Sequence, residues 1–323
     1  MDPVLEAVLE AVRDLPITVI DPTGDVTLIL SNRKFQSLFQ CSSEKLIQAC
    51  GLFRKKLAPG EQPHLELTRD GKVYLTIQEF DPTVLEHTLN LFHGCNKNMP
   101  KDPTLPKLLE FAKVCDYFDC LPIVKPFATI WMKEIKDRVS GLSTLPPENN
   151  SWIFISYAFR DQEVFQRTTA LAQQNLDRNL DIRKVPIPKD IATLINDARQ
   201  KYLHTLAKLL EARRRSLSFD PTICAANCNL LYLPLVWKVL AKGYFPFNPV
   251  PTPKDGFTGY APRVIWAKLI NECRENSKTL DRRCPNGKEH LCPHWRHPLG
   301  QDIEDHISKF YRLLPGLTFT EDS

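Results

Sequence analysis

The sequence predicts an α+β N-terminal domain, a small sheet flanked by helices, followed by a mainly α-helical C-terminal region. Three observations carry this. Short apolar–polar alternations occur in "GDVTLIL" (Gly24–Leu30) and "LELTRDGKVYLTI" (Leu65–Ile77), the period of a strand with one buried face. Around and after them, apolar residues recur every three to four positions, the period of a helix with one buried stripe. Beyond "SGLSTLPPENN" (Ser140–Asn150) the alternation disappears and only helical spacing remains. The domains read as a helix over residues 1–14, an α+β domain over 15–139, a linker over 140–150, a helical extension over 151–216 and a Cys/His-containing helical tail over 217–323.

Taken in order, "MDPVLEAVLEAVRDLP" reads as a short helix with Leu5, Val8, Leu9 and Val12 on one side. Asp2, Glu6 and Glu10 set it apart from a signal peptide, which starts positive and runs apolar. The turn residues Asp21-Pro22-Thr23-Gly24 precede the first alternating run. "FQCSSEKLIQACGLFRKKL" (Phe39–Leu57) reads as one helix, with Ser42 and Ser43 as N-caps and Leu46, Cys50 and Phe53 on its buried stripe. In Leu65–Ile77 the dipeptide Asp70-Gly71 suits a two-residue hairpin turn, because both positions tolerate positive φ.

Asp81–Gly94 reads as a helix with Asp81 as cap, Pro82 at its first position, Gly94 as its stop, and Leu85, Leu89 and Phe92 as its stripe. His93 falls at its end, where the positive imidazolium suits the helix dipole, and reads as structural. Leu105–Cys120 gives a further helix with Leu108, Ala112 and Cys115 aligned, which makes Cys115 a core residue rather than a reactive one. Leu121–Val139 keeps Val124, Phe127, Ala128, Trp131 and Ile135 in helical register. After the linker, "SWIFISYAFRDQEVFQRTTALAQQNL" reads as two helices. Pro188–Ser216 reads as one long helix with Ile191, Leu194, Ala198, Tyr202, Leu206 and Leu209 on its buried face. The tail holds shorter helical pieces, Leu230–Phe245 and Asp302–Leu314.

Composition narrows the function. Lys and Arg number 42 against 38 Asp and Glu, a net charge of +4, too mild for a concentrated nucleic-acid face. The basic clusters Phe53–Leu57, Glu211–Ser216 and Asp281–Cys284 read as solvated segments, with Arg213–Arg215 complementing the dipole at a helix end. The 26 prolines outnumber the 12 glycines, as expected of stiff connections between helices. No stretch approaches the roughly 20 apolar residues of a membrane span. The expectation is a soluble intracellular protein, cytoplasmic or nuclear, whose ten cysteines are reduced thiols or metal ligands. Glycine-rich phosphate loops, Gly-x-Ser-x-Gly and His-Glu-x-x-His are all missing, so no catalytic residue is assigned and the chain is expected not to be an enzyme.

"CPNGKEHLCPHWRHP" (Cys284–Pro298) places two cysteines and three histidines in fifteen residues. Zinc takes four tetrahedral thiolate and imidazole ligands, usually as two short-spaced pairs. Cys224 and Cys228 supply one pair, and His290 with Cys292 the other, with Cys284, His294 and His297 as substitutes. One structural zinc there would let a loop-rich tail fold. The competing reading packs Cys224 and Cys228 into a core and leaves the histidines in water.

The ordered series "GDVTLIL", "FQCSSEKLIQACGLFRKKL", "FDPTVLEHTLNLFHGCNKNMP", "LLEFAKVCDYFDC" and "VKPFATIW" resembles the BTB/POZ domain, of the type abundant in filamentous fungi. "SWIFISYAFRDQEVF" resembles the helical region that follows it in that group. The resemblance spans roughly Asp21–Arg167. It implies a protein–protein interaction module or scaffold acting with protein partners, as a homo- or hetero-oligomer, with partner contact on Thr83–His93 or on the helix from Leu105. By more distant analogy it implies a ubiquitin-ligase substrate adaptor. Two rival expectations come from the tail: a nuclear regulator contacting DNA through its Cys/His region, and a Cys/His hydrolase.

Overall fold

Val26–Leu30 are buried without a break, Thr27 included, because their strand lies inside the sheet and is covered on both faces. This computed structural model describes residues 15–31, 36–57, 73–77, 80–219, 257, 259, 261–265, 267–268, 271 and 314–319. Among the described residues, four strands, β1 (Ile17–Val19), β2 (Val26–Ser31), β3 (Gln36–Cys41) and β4 (Val73–Ile77), form a mixed sheet in the order β1-β3-β2-β4. β2 and β3 pair antiparallel, with Val26 opposite Cys41 and Leu28 opposite Phe39. β4 returns parallel to β2, with Val26 opposite Val73 and Leu30 opposite Ile77. β1 runs parallel to β3, with Ile17 opposite Leu38.

The structure corrects the reading of Phe39–Leu57 as one helix. Phe39–Cys41 finish β3, and the rest forms two helices, α1 (Ser43–Ala49) and α2 (Gly51–Leu57). The break is at Cys50, whose backbone is extended at φ −141°, ψ 126° and whose thiol donates to the Phe118 carbonyl at 2.8 Å. Gly51, a poor helix former, follows directly. Leu46, Cys50 and Phe53 are all buried despite the break. β4 provides the second expected strand, while Asp70-Gly71 and the other arm of the expected hairpin lie outside the described residues, as do residues 1–14. At Gly24 a Cβ would lie 2.5 Å from the Cys41 carbonyl oxygen, so the turn into β2 requires glycine for close backbone approach.

α3 (Pro82–Phe92) follows the sequence signals. Oδ1 of Asp81 accepts from the Val84 amide at 3.0 Å, Pro82 opens the helix, and Gly94 ends it at φ +80°. α4 (Leu105–Phe118) and α5 (Leu121–Ser140) are joined through Asp119, in the left-handed conformation at φ 52°. Phe118 sits among Phe53, Phe80, Phe92 and Tyr117, with ring centroids 5.0–6.1 Å away. Trp131 packs 4.9 Å from Phe111 and donates its indole N–H to the Pro100 carbonyl at 2.9 Å.

Next come α6 (Asn149–Ala158), α7 (Gln162–Asn175) and α8 (Lys189–Phe219). The chain divides into two compact units, Met1–Arg138 with Ser151–Val164, and Val139–Asn150 with Phe165–Ser323. Ser151–Val164, read from sequence as the start of the helical extension, therefore belongs to the first unit. There Phe159 packs 6.2 Å from Trp131, and Lys136 bridges Asp161 and Glu163 at 3.2 and 3.3 Å. In the second unit α8 buries Ile191, Ile195, Arg199, Tyr202, Leu203 and Leu206. Leu194, expected on that face, is 54% exposed, because the stripe runs through Ile195 instead. Arg199 is buried and donates to the Phe257 carbonyl at 2.8 Å, while Gln200 accepts from the Phe257 amide at 2.7 Å. No helix among the described residues is long and apolar enough to cross a membrane.

Candidate interaction surface

The chemistry-bearing side chains of the first unit converge where β2, α1 and α3 meet. Ser42 precedes α1 without capping it through its own side chain. Asp25, at the start of β2, does this instead: its Oδ1 accepts from the Ser43 amide at 2.8 Å and its Oδ2 from the Ser43 hydroxyl at 2.6 Å. The Ser42 amide donates to Nε2 of His93 at 3.0 Å, and Nδ1 of His93 donates to the Leu89 carbonyl at 2.8 Å. A carbonyl only accepts and an amide only donates, so the ring is neutral with its proton on Nδ1. Burial lowers the pKa of His93, against the pull of the Leu89 hydrogen bond. The expectation that His93 serves as an imidazolium at a helix end is thereby corrected, because its second nitrogen is needed as an acceptor.

Next to it, Lys45 pairs with Asp21 at 2.8 Å, and Asp21 Oδ1 accepts from the Thr23 amide and hydroxyl at 2.9 and 2.8 Å. These bonds, the Lys45 one first, hold the Asp21 carboxyl well below the usual carboxylate range. Asp21, Asp25 and His93 are thus engaged in closing a turn, capping a helix and joining two helices.

The thiols follow the same logic. Cys41, Cys50, Cys115 and Cys120 are buried and unpaired by disulfides. Burial pushes the Cys41 thiol up to about 12 and also raises that of Cys50. The Cys120 thiol is raised by its hydrogen bond to Cys115 and then by burial. A thiol held protonated is a poor nucleophile and a poor metal ligand. Cys95, beyond the end of α3, is exposed.

The first unit exposes large apolar side chains at Ile17, Val19 and Ile130. β1 stands at the edge of the sheet, and among the described residues no strand pairs with its outer side. Its Ile17 and Val19 are 46% and 54% exposed. The helix faces named by the resemblance are polar by comparison. Thr83 and Glu86 are exposed on α3, and Lys107 on α4. The sequence reading missed the β1 edge because "ITV" is three residues long, too short to register as an alternating run. Arg54 and Lys55 lie exposed in the last turn of α2, where cations complement the helix dipole.

Cys224, Cys228, His290 and Cys292, with the substitutes Cys284, His294 and His297, lie outside the described residues. Among the described residues no group of three or more His, Cys, Asp or Glu is placed to hold a metal ion. No protein-family model matches the chain. No curated protein matches it either.

Proposed function

We propose that this chain is a non-enzymatic protein–protein interaction module whose N-terminal unit is of the BTB/POZ type. The observation that carries the reading is the β1 edge. An edge strand whose outer side pairs with no strand among the described residues can serve as a template for another strand. On this three-residue strand, preceded by Pro16, Ile17 and Val19 leave apolar side chains exposed beside the edge. The main chain of β1 supplies the affinity for an added strand, and the two side chains supply an apolar footing. The small sheet flanked by helices, built by the stretches that carry the resemblance, supports the family reading. The engagement of Asp25, His93 and the buried thiols in structure supports a binding role over a catalytic one.

The test compares the intact chain with an Ile17→Lys/Val19→Lys double variant by light scattering and by affinity capture. Exposed positions of this kind change stability by only about 0.5 kcal/mol, so the variant is expected to stay folded. The wild type is expected to self-associate or retain a protein that the variant loses. Identical behaviour of the two would overturn the reading.

A further inference from the structure

The buried stripe of α8 passes through Ile195, Arg199, Tyr202, Leu203 and Leu206, and the same spacing next falls on Leu210 and then on Arg213 or Arg214. Arg213, Arg214 and Arg215 are consecutive, and consecutive helix positions are turned about 100° from one another, so no apolar stripe runs through them. Ser216 follows directly, in the last turn of a helix that ends at Phe219. Asp220-Pro221 comes next in sequence, and a proline disfavours helical backbone in the residue before it. The last four carbonyls of a helix have no partner within it, so its final turn opens to extended backbone at lower cost than an interior turn.

We propose that Ser216 is a phosphorylation site for a serine/threonine kinase that selects basic substrates, with Arg213 and Arg214 as the recognised cations and Leu217 as the apolar residue after the acceptor. Such a kinase reads an extended peptide with carboxylates set along its groove, and a guanidinium meets each carboxylate with paired hydrogen bonds. Arg213 and Arg214 stand three and two positions before Ser216. No other serine or threonine in the chain has a basic residue at both of those positions. Ser218 has Arg215 three positions before it but Ser216 two before, and Ser277 has Arg274 followed by Glu275. In the transfer, Oγ of Ser216 attacks the γ-phosphorus of ATP. The Oγ–P bond forms as the bond from that phosphorus to the β–γ bridging oxygen breaks, ADP leaves, and the hydroxyl proton passes to the kinase's catalytic aspartate. The phosphate brings a charge of about −1.5 to −2 at pH 7, which cancels half or more of the charge on the arginine run. The cationic end of α8, suited to the helix dipole, thereby becomes nearly neutral. The inference concerns α8 alone and does not rest on the reading of the β1 edge.

The test incubates the purified full chain with the catalytic subunit of cyclic-AMP-dependent protein kinase and Mg-ATP, reading stoichiometry by intact mass and position by peptide mapping. The wild type is expected to take up a single phosphate, on Ser216. Ser216→Ala is expected to take up none, and Ser218→Ala as much as the wild type. Arg213→Ala/Arg214→Ala is expected to lower kcat/KM for the transfer at least ~10-fold, through loss of two charge-assisted contacts with the kinase. A folded wild-type chain that takes up no phosphate, while a synthetic peptide of residues 209–223 is phosphorylated, has a closed site and overturns the proposal. Phosphate on Ser218 in place of Ser216 overturns it, as does an arginine variant phosphorylated as fast as the wild type. Should a variant fail to fold, peptide mapping of the wild type decides alone.

Discussion

The Ser42 amide donates to Nε2 of His93 across 51 residues of sequence, tying the start of α1 to the end of α3. Protonation would turn that nitrogen into a donor facing a donor. Burial holds the folded pKa below the ordinary 6.5, with Lys45 lowering it further and Asp21 opposing. Between the folded value and 6.5 the unfolded chain binds more protons, so stability falls as the pH falls. The contribution is complete above about pH 6.5 and lost as the pH drops through the folded value. Urea denaturation at pH 7.5 and pH 5 should show the wild type losing about 1 kcal/mol more than His93→Leu, the worth of one hydrogen bond. The difference between the two proteins removes the seven other histidines from the comparison. Equal losses would sink the assignment.

Asp25 is the cap that α1 lacks from its own Ser42. Asp25→Ala should cost about 1 kcal/mol, the usual worth of an N-cap, and Asp25→Asn less, since an amide oxygen still accepts from the Ser43 amide. Burial alone would raise the Asp25 pKa, but the Ser43 hydroxyl and amide hold it below the ordinary value. The contribution is therefore present at neutral pH and is lost as the pH falls below about 4. Chemical denaturation of the three proteins at pH 7 and pH 3 reads this directly. A gap undiminished between pH 7 and pH 3 would count against the carboxylate as the cap.

What was legible in the sequence was local. α3 announces itself through Asp81, Pro82 and Gly94, residues whose reasons for being there lie within one turn of the chain. α8 was legible as a long helix, but its buried stripe was misjudged at Leu194, where packing selected Ile195. β3 was hidden because Leu38 and Phe39, adjacent in sequence, are buried on opposite faces, which erases the period of two. The parallel return of β4 beside β2 leaves no local mark at all. The same holds for the polar corner. Asp25, Ser43 and His93 come from three elements, and no spacing brings them together. The hydrogen bond from Gln174 of α7 to the Leu314 carbonyl is the extreme case, since its partners lie 140 residues apart.

Burial of the thiols predicts a labelling order. Under native conditions near pH 7.5, iodoacetamide should modify Cys95 first among the five described cysteines, while Cys41, Cys50, Cys115 and Cys120 stay unmodified until the chain unfolds. Peptide mapping by mass spectrometry resolves each position. Rapid modification of Cys41, whose thiol is pushed up to about 12, would mean that the hairpin between β2 and β3 opens freely or is not formed.

Gly24 tests the sheet itself. Its missing side chain makes room for the Cys41 carbonyl, and Cys41 is the residue that pairs with Val26 at the end of the β2–β3 ladder. A methyl group 2.5 Å from that oxygen cannot be relieved by a side-chain rotation, because the obstacle is backbone. Gly24→Ala should therefore cost about 1–3 kcal/mol, the scale of overpacking in a closed core. Gly141 provides the control: nothing lies within 4 Å of its added Cβ, so Gly141→Ala should stay within about 0.5 kcal/mol of the wild type. Urea midpoints at unchanged slope measure both. Equal midpoints for the two variants would mean that β2 and β3 do not approach as closely as the hairpin requires.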